Sequence, residues 1–186
     1  MRIIAGKYRG RLLTAAKDLS VRPTTDRAKQ MIFDMLAARV DFEGLDVLDL
    51  FCGSGSLGLE AISRGAARAT FVDHSRASLG LAEKNARALR CWTQCTFHQA
   101  DVFWYLKNMQ QCFNLIFADP PYKLETIGSI PEAVFESKAL EQGRYLIMEH
   151  SKESPVQLDP QHFEIIQKPF GQTTVLFLKK LFLSEP

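Results

Sequence analysis

From residue 45 onward, short apolar runs alternate with stretches that have the apolar spacing of a helix. The apolar runs are LDVLDLF, ATFVD, CTFHQ, NLIFAD and RYLIMEH, and the helical stretches fall at 56–64, 75–90, 101–110 and about 130–141. Near-continuous apolar strands that alternate with helices are typical of a parallel sheet covered on both faces. The ending differs, because only a turn at 169–172 separates FEIIQK from TTVLFLKKLFL, which predicts an antiparallel pair. The sequence therefore predicts an α/β fold with five parallel strands followed by an antiparallel hairpin.

Residues 1–43 precede this alternation and are predicted to be a basic hairpin and helix that belong to the same domain. Residues 2–15 predict a short β-hairpin, because two apolar segments flank a turn that contains Gly6 and Gly10. A helical pattern follows, with Thr24 or Thr25 available as its N-cap. Residues 1–30 hold eight Lys and Arg against two Asp, a charge of +6, whereas residues 31–186 hold 15 Lys and Arg against 19 Asp and Glu, a charge of −4. This imbalance indicates either a polyanionic partner at the N-terminal end or a solvated charged face.

Composition limits the class of protein. The chain is 46% hydrophobic, and Gly and Pro together make 19 of its 186 residues, which is typical of an ordinary globular domain. No apolar run reaches the roughly 18 residues of a membrane span, and charges interrupt the start too often for a signal peptide. Four irregularly spaced cysteines then indicate reduced thiols, and we expect a cytoplasmic protein. Cys91, Cys95 and His98 resemble part of a zinc site, but such a site needs four ligands, so packing is the favoured interpretation and no metal is expected.

A glycine-rich loop follows the first strand, in the sequence DLFCGSGSLG. Gly53, Gly55 and Gly58 match the G-x-G-x-x-G pattern of dinucleotide-binding proteins, between a strand and a helix as that pattern requires. Asp49 lies at the strand end, however, where a carboxylate would repel a pyrophosphate and attract a ligand that carries ammonium and sulfonium groups. Asp73 also follows Gly58 by only 15 residues, whereas the usual spacing from the motif is about 20. These features favour S-adenosylmethionine over a nicotinamide dinucleotide.

The other predicted cofactor contacts lie in the glycine loop (residues 51–55) and at the ends of the next two strands. Ser54 is the candidate within the loop. Asp73 suits a ribose diol, because one carboxylate can accept hydrogen bonds from both hydroxyls. Asp101, with Val102 beside it, follows the third strand, at the edge where ligands bind in open α/β sheets. The Asp101 carboxylate is predicted to accept from the adenine amino group or to cap the next helix, and these two roles are compatible.

The motif Asp119-Pro120-Pro121-Tyr122 follows the fourth strand and is the most specific signal in the chain. Proline donates no backbone hydrogen bond and has a fixed φ, and the residue before a proline favours extended geometry. We therefore expect a rigid structure, the DPPY shelf (residues 119–122), that offers only acceptors: the Asp119 carboxylate and a prolyl carbonyl. Such a shelf can bind both hydrogens of a planar NH2 group. Tyr122 adds an aromatic face for a base turned out of its stack.

The predicted chemistry is direct methyl transfer to that amino group. Holding both hydrogens draws the nitrogen lone pair out of conjugation and directs it at an electrophilic methyl group, so positioning supplies most of the catalysis. The shelf acceptors also stabilise the positive charge that develops on nitrogen. The reaction needs neither a metal nor a covalent enzyme intermediate.

The order of DLFCGSG, VD, AD and DPPY resembles the class I S-adenosylmethionine-dependent methyltransferases that act on exocyclic amino groups. With RIIAGKYRGRLL, RPTTDRAKQMIFDML, SLGLEAISRGA and MEHSKE added, the chain is similar over essentially its full length to the bacterial 16S ribosomal RNA guanine-N2 methyltransferase (RsmD-like) family. The resemblance implies a Rossmann-like, seven-stranded methyltransferase domain over residues 44–186. It also implies a monomer that methylates one guanine of 16S rRNA, either free or in a small ribosomal subunit particle.

The resemblance also assigns roles to residues. It places Asp49, Gly53 and Gly55 at the cofactor, Asp73 at the ribose, Asp101 at the adenine, Asp119, Pro120 and Tyr122 at the target amine, and Thr24, Thr25 and Arg27 across the entrance. With this partner, Lys7, Arg9, Arg11 and Arg22 are expected to contact RNA phosphates, which gives affinity and orientation rather than sequence choice. Two alternatives remain open: a methyltransferase for the 6-amino group of DNA adenine, and a non-catalytic RNA-binding assembly factor.

Overall fold

The structure, a computed structural model, describes residues 1–15, 26–154, 156 and 158–182. The helices are α1 (Asp26–Ala37), α2 (Ser56–Ser63), α3 (Arg76–Leu89), α4 (Val102–Asn108) and α5 (Ile130–Glu136). The strands are β1 (Asp46–Leu50), β2 (Arg68–Asp73), β3 (Cys95–Gln99), β4 (Phe113–Ala118), β5 (Leu140–Ser151), β6 (Phe163–Phe170) and β7 (Thr173–Lys180). Within these ranges, none of the helices combines the length and apolar character needed to cross a membrane.

The strands form one sheet in the order β3-β2-β1-β4-β5-β7-β6. The first five strands of the chain are parallel, whereas β7 runs antiparallel between β5 and β6. The predicted seven-stranded, mostly parallel sheet with an antiparallel C-terminal hairpin is therefore confirmed. The chain changes direction across the sheet between β1 and β4, and ligands bind outside the carboxyl ends of the strands at such a point. The fold thus places the glycine loop and the DPPY shelf, which follow these two strands, side by side.

Helices cover both faces of the sheet, because successive strand residues point to opposite sides. On one face, Val47, Phe71 and Phe117 pack with apolar side chains of α1, α2 and α3. On the other face, Leu48 and Ile116 pack with side chains of α4 and α5. Burial of each such side chain contributes roughly 1.5–3 kcal/mol, so the two layers hold the carboxyl ends of β1 and β4 in fixed positions.

Some predicted boundaries differ from the observed ones. Helix α4 ends before residue 110, and α5 ends at Glu136 rather than near 141. Lys138, with a φ of +59°, turns the chain after α5. Strand β5 then begins at Leu140, before the predicted start at Arg144, and its register against β4 is irregular there. The irregular start explains the error, because a bulged strand around Gly143 (φ +74°) does not show an alternating apolar pattern.

Residues 1–15, the N-terminal arm, form a weaker hairpin than predicted. A single isolated bridge pairs Arg2 with Leu12, so no ladder of strand pairs develops. The reason is a competing acceptor: the amides of Ile4 and Ala5 donate to the Glu60 carboxylate of α2, at 2.7 and 3.0 Å. The Ala5 amide is therefore withdrawn from the hairpin, and both amides fix the arm to the domain.

The Glu60 carboxylate is fully buried and is balanced by two cations. Lys29 Nζ lies 3.5 Å from it and Arg64 Nε lies 2.9 Å from it. Lys29 Nζ also donates to the Arg2 carbonyl at 2.6 Å. Burial lowers the pKa of the Lys29 ammonium, and the Glu60 charge opposes this shift. The arm is thus joined to α1 and α2 by buried, charge-assisted hydrogen bonds, which are stronger than neutral ones.

The turn of the arm, residues 6–11, lies at the amino-terminal edge of the sheet, and we call it the basic tip. The Lys7 amide donates to the Ser63 carbonyl at the end of α2, at 2.7 Å. Arg11 Nη2 donates to the Ala88 carbonyl near the end of α3, at 3.2 Å. Both helices begin after the carboxyl ends of strands and return to the opposite edge. The basic tip therefore lies at the edge opposite the glycine loop and the DPPY shelf.

Candidate active site

The glycine loop leaves β1 with its backbone in the left-handed region. Phe51, Gly53 and Gly55 have φ values of +55°, +54° and +77°. A Cβ on Gly53 would meet no heavy atom within 4 Å, so it would project into open space beside the loop, where a ligand can approach the backbone. Gly58 has a different role, because a Cβ there would lie 2.5 Å from Phe71 Cε1. Its missing side chain lets α2 approach β2 closely and fixes the loop against the sheet.

Asp73, at the end of β2, binds the glycine loop directly. Its Oδ2 accepts a hydrogen bond from the Gly53 amide at 2.9 Å, and its Oδ1 accepts one from the Ser75 amide at 2.8 Å. A carboxylate offers about four lone-pair sites, so Asp73 keeps capacity for two further donors such as a ribose diol. The structure therefore brings the predicted ribose contact and the predicted loop contacts together.

Asp49 is buried beneath the glycine loop, with only 1% of its surface exposed. Its Oδ2 accepts a hydrogen bond from the Gly58 amide at 2.9 Å, so Asp49 supports the start of α2 next to the loop. A direct contact between Asp49 and the cofactor stays a prediction. Burial raises the pKa of this carboxyl well above its usual value, and the charges of Asp119 and Asp73 raise it further. These carboxylates form one electronegative region. A cationic ligand placed there would favour the charged form of Asp49.

Asp101 caps helix α4, because its Oδ1 accepts from the Trp104 amide at 2.9 Å. This is one of the two roles that the sequence left open, and the adenine contact stays a prediction. Val102 is buried in the core between the sheet and α4. The Ser54 carbonyl accepts from Asn85 Nδ2 at 3.0 Å.

Asn85 is a supporting residue that no sequence motif indicated. It lies in the middle of α3 and is almost fully buried. Its Oδ1 accepts from the Thr14 amide at 2.8 Å, and its Nδ2 donates to the Thr14 carbonyl at 2.9 Å as well as to the Ser54 carbonyl. One side chain therefore connects the N-terminal arm with the glycine loop. A polar residue on the apolar face of a predicted helix is the only signal that could have identified it.

The DPPY shelf begins beside the glycine loop. The last residues of β1 and β4 are paired in register, on strands that lie about 4.8 Å apart. Asp119 is half-buried, Pro120 is buried and Pro121 is exposed. The Pro121 carbonyl accepts from the Leu124 amide at 2.9 Å, which makes the Pro120 carbonyl the better candidate for the second acceptor of an amino group.

Glu149, near the end of β5, belongs to the segment MEHSKE, but no role in the site was predicted for it. The Tyr122 hydroxyl donates to Glu149 Oε1 at 3.1 Å, so Glu149 holds the tyrosine ring beside the shelf. Within the described part of the chain, Glu149 Oε2 is buried without a hydrogen-bond partner. Glu149 follows Met148, which pairs with Ala118 of β4, so it lies on the strand next to the shelf. An acidic residue directly after the apolar run LIM was the available signal.

A cavity of about 580 Å³ opens beside Tyr122. Leu124 and Ile127 give it an apolar side, and Lys123 and Ser129 supply polar groups. Its volume is within the range of about 300–1,000 Å³ that is typical of ligand pockets. The aromatic residue of the shelf is therefore accessible from a space large enough for a ligand.

Three of the four predicted RNA contacts lie away from this edge of the sheet. Lys7, Arg9 and Arg11 belong to the basic tip at the opposite edge, and Arg22, like Thr24 and Thr25, falls outside the described residues. If Lys7, Arg9 and Arg11 bind RNA, they do so away from the target base.

The cysteine and histidine residues after α3 contact protein groups. Cys95 Sγ lies 3.2 Å from the Cys91 carbonyl, and buried Cys91 has its Sγ 3.6 Å from the Ala86 carbonyl. The His98 ring lies 5.2 Å from the Tyr105 ring. Among the described residues, no group of three His, Cys, Asp or Glu side chains is arranged to hold a metal ion.

The chain is similar over nearly its whole length to known proteins. The profile of the family described as Conserved hypothetical protein 95 matches residues 1–179. The chain belongs to this family of RsmD-like class I methyltransferases. The predicted family is thereby confirmed.

Individual relatives agree with this assignment. YlbH of Bacillus subtilis is 33% identical over 186 residues, which covers 97% of this chain and 99% of YlbH. Ribosomal RNA small subunit methyltransferase D of Haemophilus influenzae is 30% identical over 175 residues, covering 90% of this chain and 87% of the relative. The solved structure of yhhF from Escherichia coli superimposes with a TM-score of 0.86 at 27% identity, covering 98% and 99% of the two chains.

S-adenosylmethionine is the cofactor of this RsmD-like methyltransferase, and the residues present fit it. The open space beside Gly53 allows close approach to the loop backbone. Asp73 has acceptor capacity for the ribose, and the buried Asp49 carboxyl lies where a cationic ligand would favour its charged form. The cofactor predicted from the sequence is confirmed.

Proposed function

We propose that this RsmD-like methyltransferase transfers a methyl group from S-adenosylmethionine to the exocyclic 2-amino group of a guanine in 16S rRNA. The observation that supports the proposal most strongly is the pairing of β1 with β4, which puts the glycine loop and the DPPY shelf at adjacent positions on one edge. The relative from Haemophilus influenzae, named ribosomal RNA small subunit methyltransferase D, supports the choice of RNA. An acceptor-only shelf supports an amino group as the methylated group.

The proposed mechanism follows from the residues of the shelf. S-adenosylmethionine supplies an electrophilic methyl group beside the glycine loop. The Asp119 carboxylate and the Pro120 carbonyl accept the two N–H bonds of the amino group, which turns the nitrogen lone pair towards that methyl group. As the C–N bond forms and the C–S bond breaks, these acceptors stabilise the positive charge on nitrogen. The nitrogen must then lose one proton, for which the Asp119 carboxylate is the adjacent acceptor, and the Tyr122 ring offers a stacking surface for the base.

The test is transfer of a labelled methyl group to RNA and to DNA, followed by mass-spectrometric mapping of the modified nucleotide. Wild-type protein is expected to label 16S rRNA, in free or particle form, at the N2 of one guanine. Asp119→Ala should reduce transfer at least about a hundredfold, because a charge-stabilising group is removed from the transition state. The matched variant Asp119→Asn keeps one acceptor oxygen and should retain more activity. Both variants should still bind S-adenosylmethionine in calorimetry, since Asp73 and the glycine loop stay in place.

Three results would contradict the proposal. Labelling of DNA adenine instead of RNA would support a DNA amino-methyltransferase. RNA binding without any methyl transfer would support an assembly factor that has kept the fold. Full activity of Asp119→Ala would show that the shelf does not hold the amino group.

We also propose that the enzyme acts in the cytoplasm as a monomer. The location follows from the proposed ribosomal substrate. The large apolar side chains exposed on the described surface, Leu12, Trp104 and Phe182, lie on separate elements rather than in one patch of the size that subunit interfaces bury. Sedimentation of the purified protein would test the monomeric state.

A further inference from the structure

An open groove lies at the amino-terminal edge of the sheet, far from the residues of the proposed reaction. Its volume is about 340 Å³. One side is formed by the basic tip and the other by the end of α3. It is lined by Lys7, Tyr8, Arg9, Arg11, Leu89 and Arg90, four of which are cationic and none of which is acidic.

The backbone that carries the cations of the groove is held in place by the fold. The Lys7 amide is bonded to the Ser63 carbonyl, and Lys7 Nζ lies 5.3 Å from the centre of the Tyr8 ring. Arg11 donates to the Ala88 carbonyl through one of its five N–H groups, which leaves the others available for a ligand. The backbone on both sides of the groove is therefore fixed by the fold, which reduces the entropy lost on binding.

Arg90 occupies a left-handed backbone position, where glycine is the most favourable residue. It ends α3 with a φ of +60°, and its amide donates to the Ala86 and Arg87 carbonyls. Glycine is the usual residue at such a left-handed helix end, because a side chain makes this backbone conformation less favourable. The exposed Arg90 side chain contributes the fourth cation of the groove.

The groove is separated from the proposed reaction site by the length of α3. This helix has 14 residues, or about 21 Å at 1.5 Å per residue, and it begins just after Asp73 at the cofactor edge. At about 3.4 Å per nucleotide of a stacked strand, 21 Å corresponds to about six nucleotides. A nucleic acid that occupies both places must therefore extend well beyond its target base.

We infer that this groove is a phosphate-binding site for the RNA backbone, about 21 Å from the cofactor edge of the sheet, or about six nucleotides of a stacked strand. The inference rests on the proposed function. Guanidinium and ammonium groups without neighbouring acids are suited to phosphate oxygens. The substrate is then a folded RNA, or a particle, large enough to reach both edges of the sheet, and a short hairpin around the target nucleotide lacks half of the contacts.

The experiment compares binding of two RNAs over a range of salt concentrations. The long RNA is 16S rRNA in the form that wild-type protein methylates, and the short RNA extends fewer than about four nucleotides from the mapped target on either side. The combined variant Lys7→Gln, Arg9→Gln and Arg90→Gln removes three of the four cations, while Arg11 is kept because of its bond to α3. Lys84→Gln is the matched control, since Lys84 is exposed on the same helix but does not line the groove.

The triple variant should bind the long RNA more weakly, and its plot of log affinity against log salt should lose about 0.7 of slope per lost phosphate contact. Its affinity for the short RNA should equal that of wild type, and Lys84→Gln should behave like wild type on both RNAs. Unchanged binding of the long RNA, or equal weakening on both RNAs, would overturn the inference. Failure of the proposed function would be recognised separately, because wild-type protein would then transfer no methyl group to the long RNA.

Discussion

The hydrogen bond from the Tyr122 hydroxyl to Glu149 gives a prediction about how the target base is positioned. We expect Tyr122→Phe to keep the aromatic face but to release the ring from β5. A hydrogen bond to a charged acceptor contributes about 1.5–3 kcal/mol, and the observed length of 3.1 Å places this one near the lower value. If the ring is no longer held in its orientation and the activation free energy rises by about 1.5 kcal/mol, methyl transfer becomes roughly tenfold slower.

The assay is single-turnover methyl transfer at saturating RNA and S-adenosylmethionine, with Glu149→Ala and the double variant measured alongside. Glu149→Ala should slow transfer to a similar extent, because it removes the partner of the same hydrogen bond. The double variant should be no slower than the slower single variant, which is the signature of two residues that act through one contact. Glu149→Gln retains an acceptor oxygen and should recover part of the rate.

Two controls make the result decisive. Thermal unfolding of each variant shows whether loss of the buried Glu149 carboxylate has altered the fold. Affinity for S-adenosylmethionine should stay at the wild-type value, since the bond that is removed joins the DPPY shelf to β5. If the two single effects multiplied in the double variant, or if Tyr122→Phe transferred methyl groups at the wild-type rate, the reasoning about an anchored ring would be refuted.

Two further predictions concern the supports of the site. The pKa of Asp49 is raised, so cofactor affinity should increase as pH rises through that pKa. Below that pKa, cofactor binding should release a proton. Asp49→Asn should abolish this pH dependence of affinity in calorimetry. Because the stability associated with the neutral carboxyl is lost as pH rises, Asp49→Asn should also raise the melting temperature of the cofactor-free protein at neutral pH. Gly6→Ala would place a Cβ 1.8 Å from the Ser63 carbonyl oxygen at a φ of +77°, and should cost about 3 kcal/mol in unfolding free energy. Gly10→Ala, at φ +80° with no atom within 4 Å, is its control and should cost only about 1–2 kcal/mol in denaturant titration; equal losses would contradict the clash.

Local pattern was sufficient for the features whose physics is local. The alternation of apolar runs with helical stretches predicted the sheet, because strand burial and helix amphipathicity are both recorded in adjacent residues. The glycine loop and the DPPY shelf were identified for the same reason, since turn geometry and the rigidity of two prolines depend on neighbouring residues. The cap formed by Asp101 on α4 was likewise predictable, because N-cap bonds span only three residues.

Features that depend on distant pairing were not predictable from the sequence. Glu149 reaches Tyr122 across 27 residues, and Asn85 reaches Thr14 across 71. The N-terminal hairpin was overestimated because the competing acceptor, Glu60, lies more than 50 residues away. The position of the basic tip likewise depends on distant pairing, since its bonds to Ser63 and Ala88 show at which edge of the sheet it lies. Charge counting identified the cationic residues but carried no information about their distance from the target.

The place of β7 in the sheet has a consequence for synthesis on the ribosome. Strand β5 carries Glu149, and its outer neighbour is β7, with Tyr145 opposite Lys179 and Glu149 opposite Val175. Until residues 173–180 have left the exit tunnel, β5 is an edge strand whose outward amides and carbonyls have no strand beside them. The glycine loop and the DPPY shelf lie earlier in the chain. The Glu149 carboxylate, which anchors the Tyr122 ring, is fixed in position only after β7 has paired with β5. Nascent chains should therefore acquire affinity for the methyl donor before they become able to modify a base.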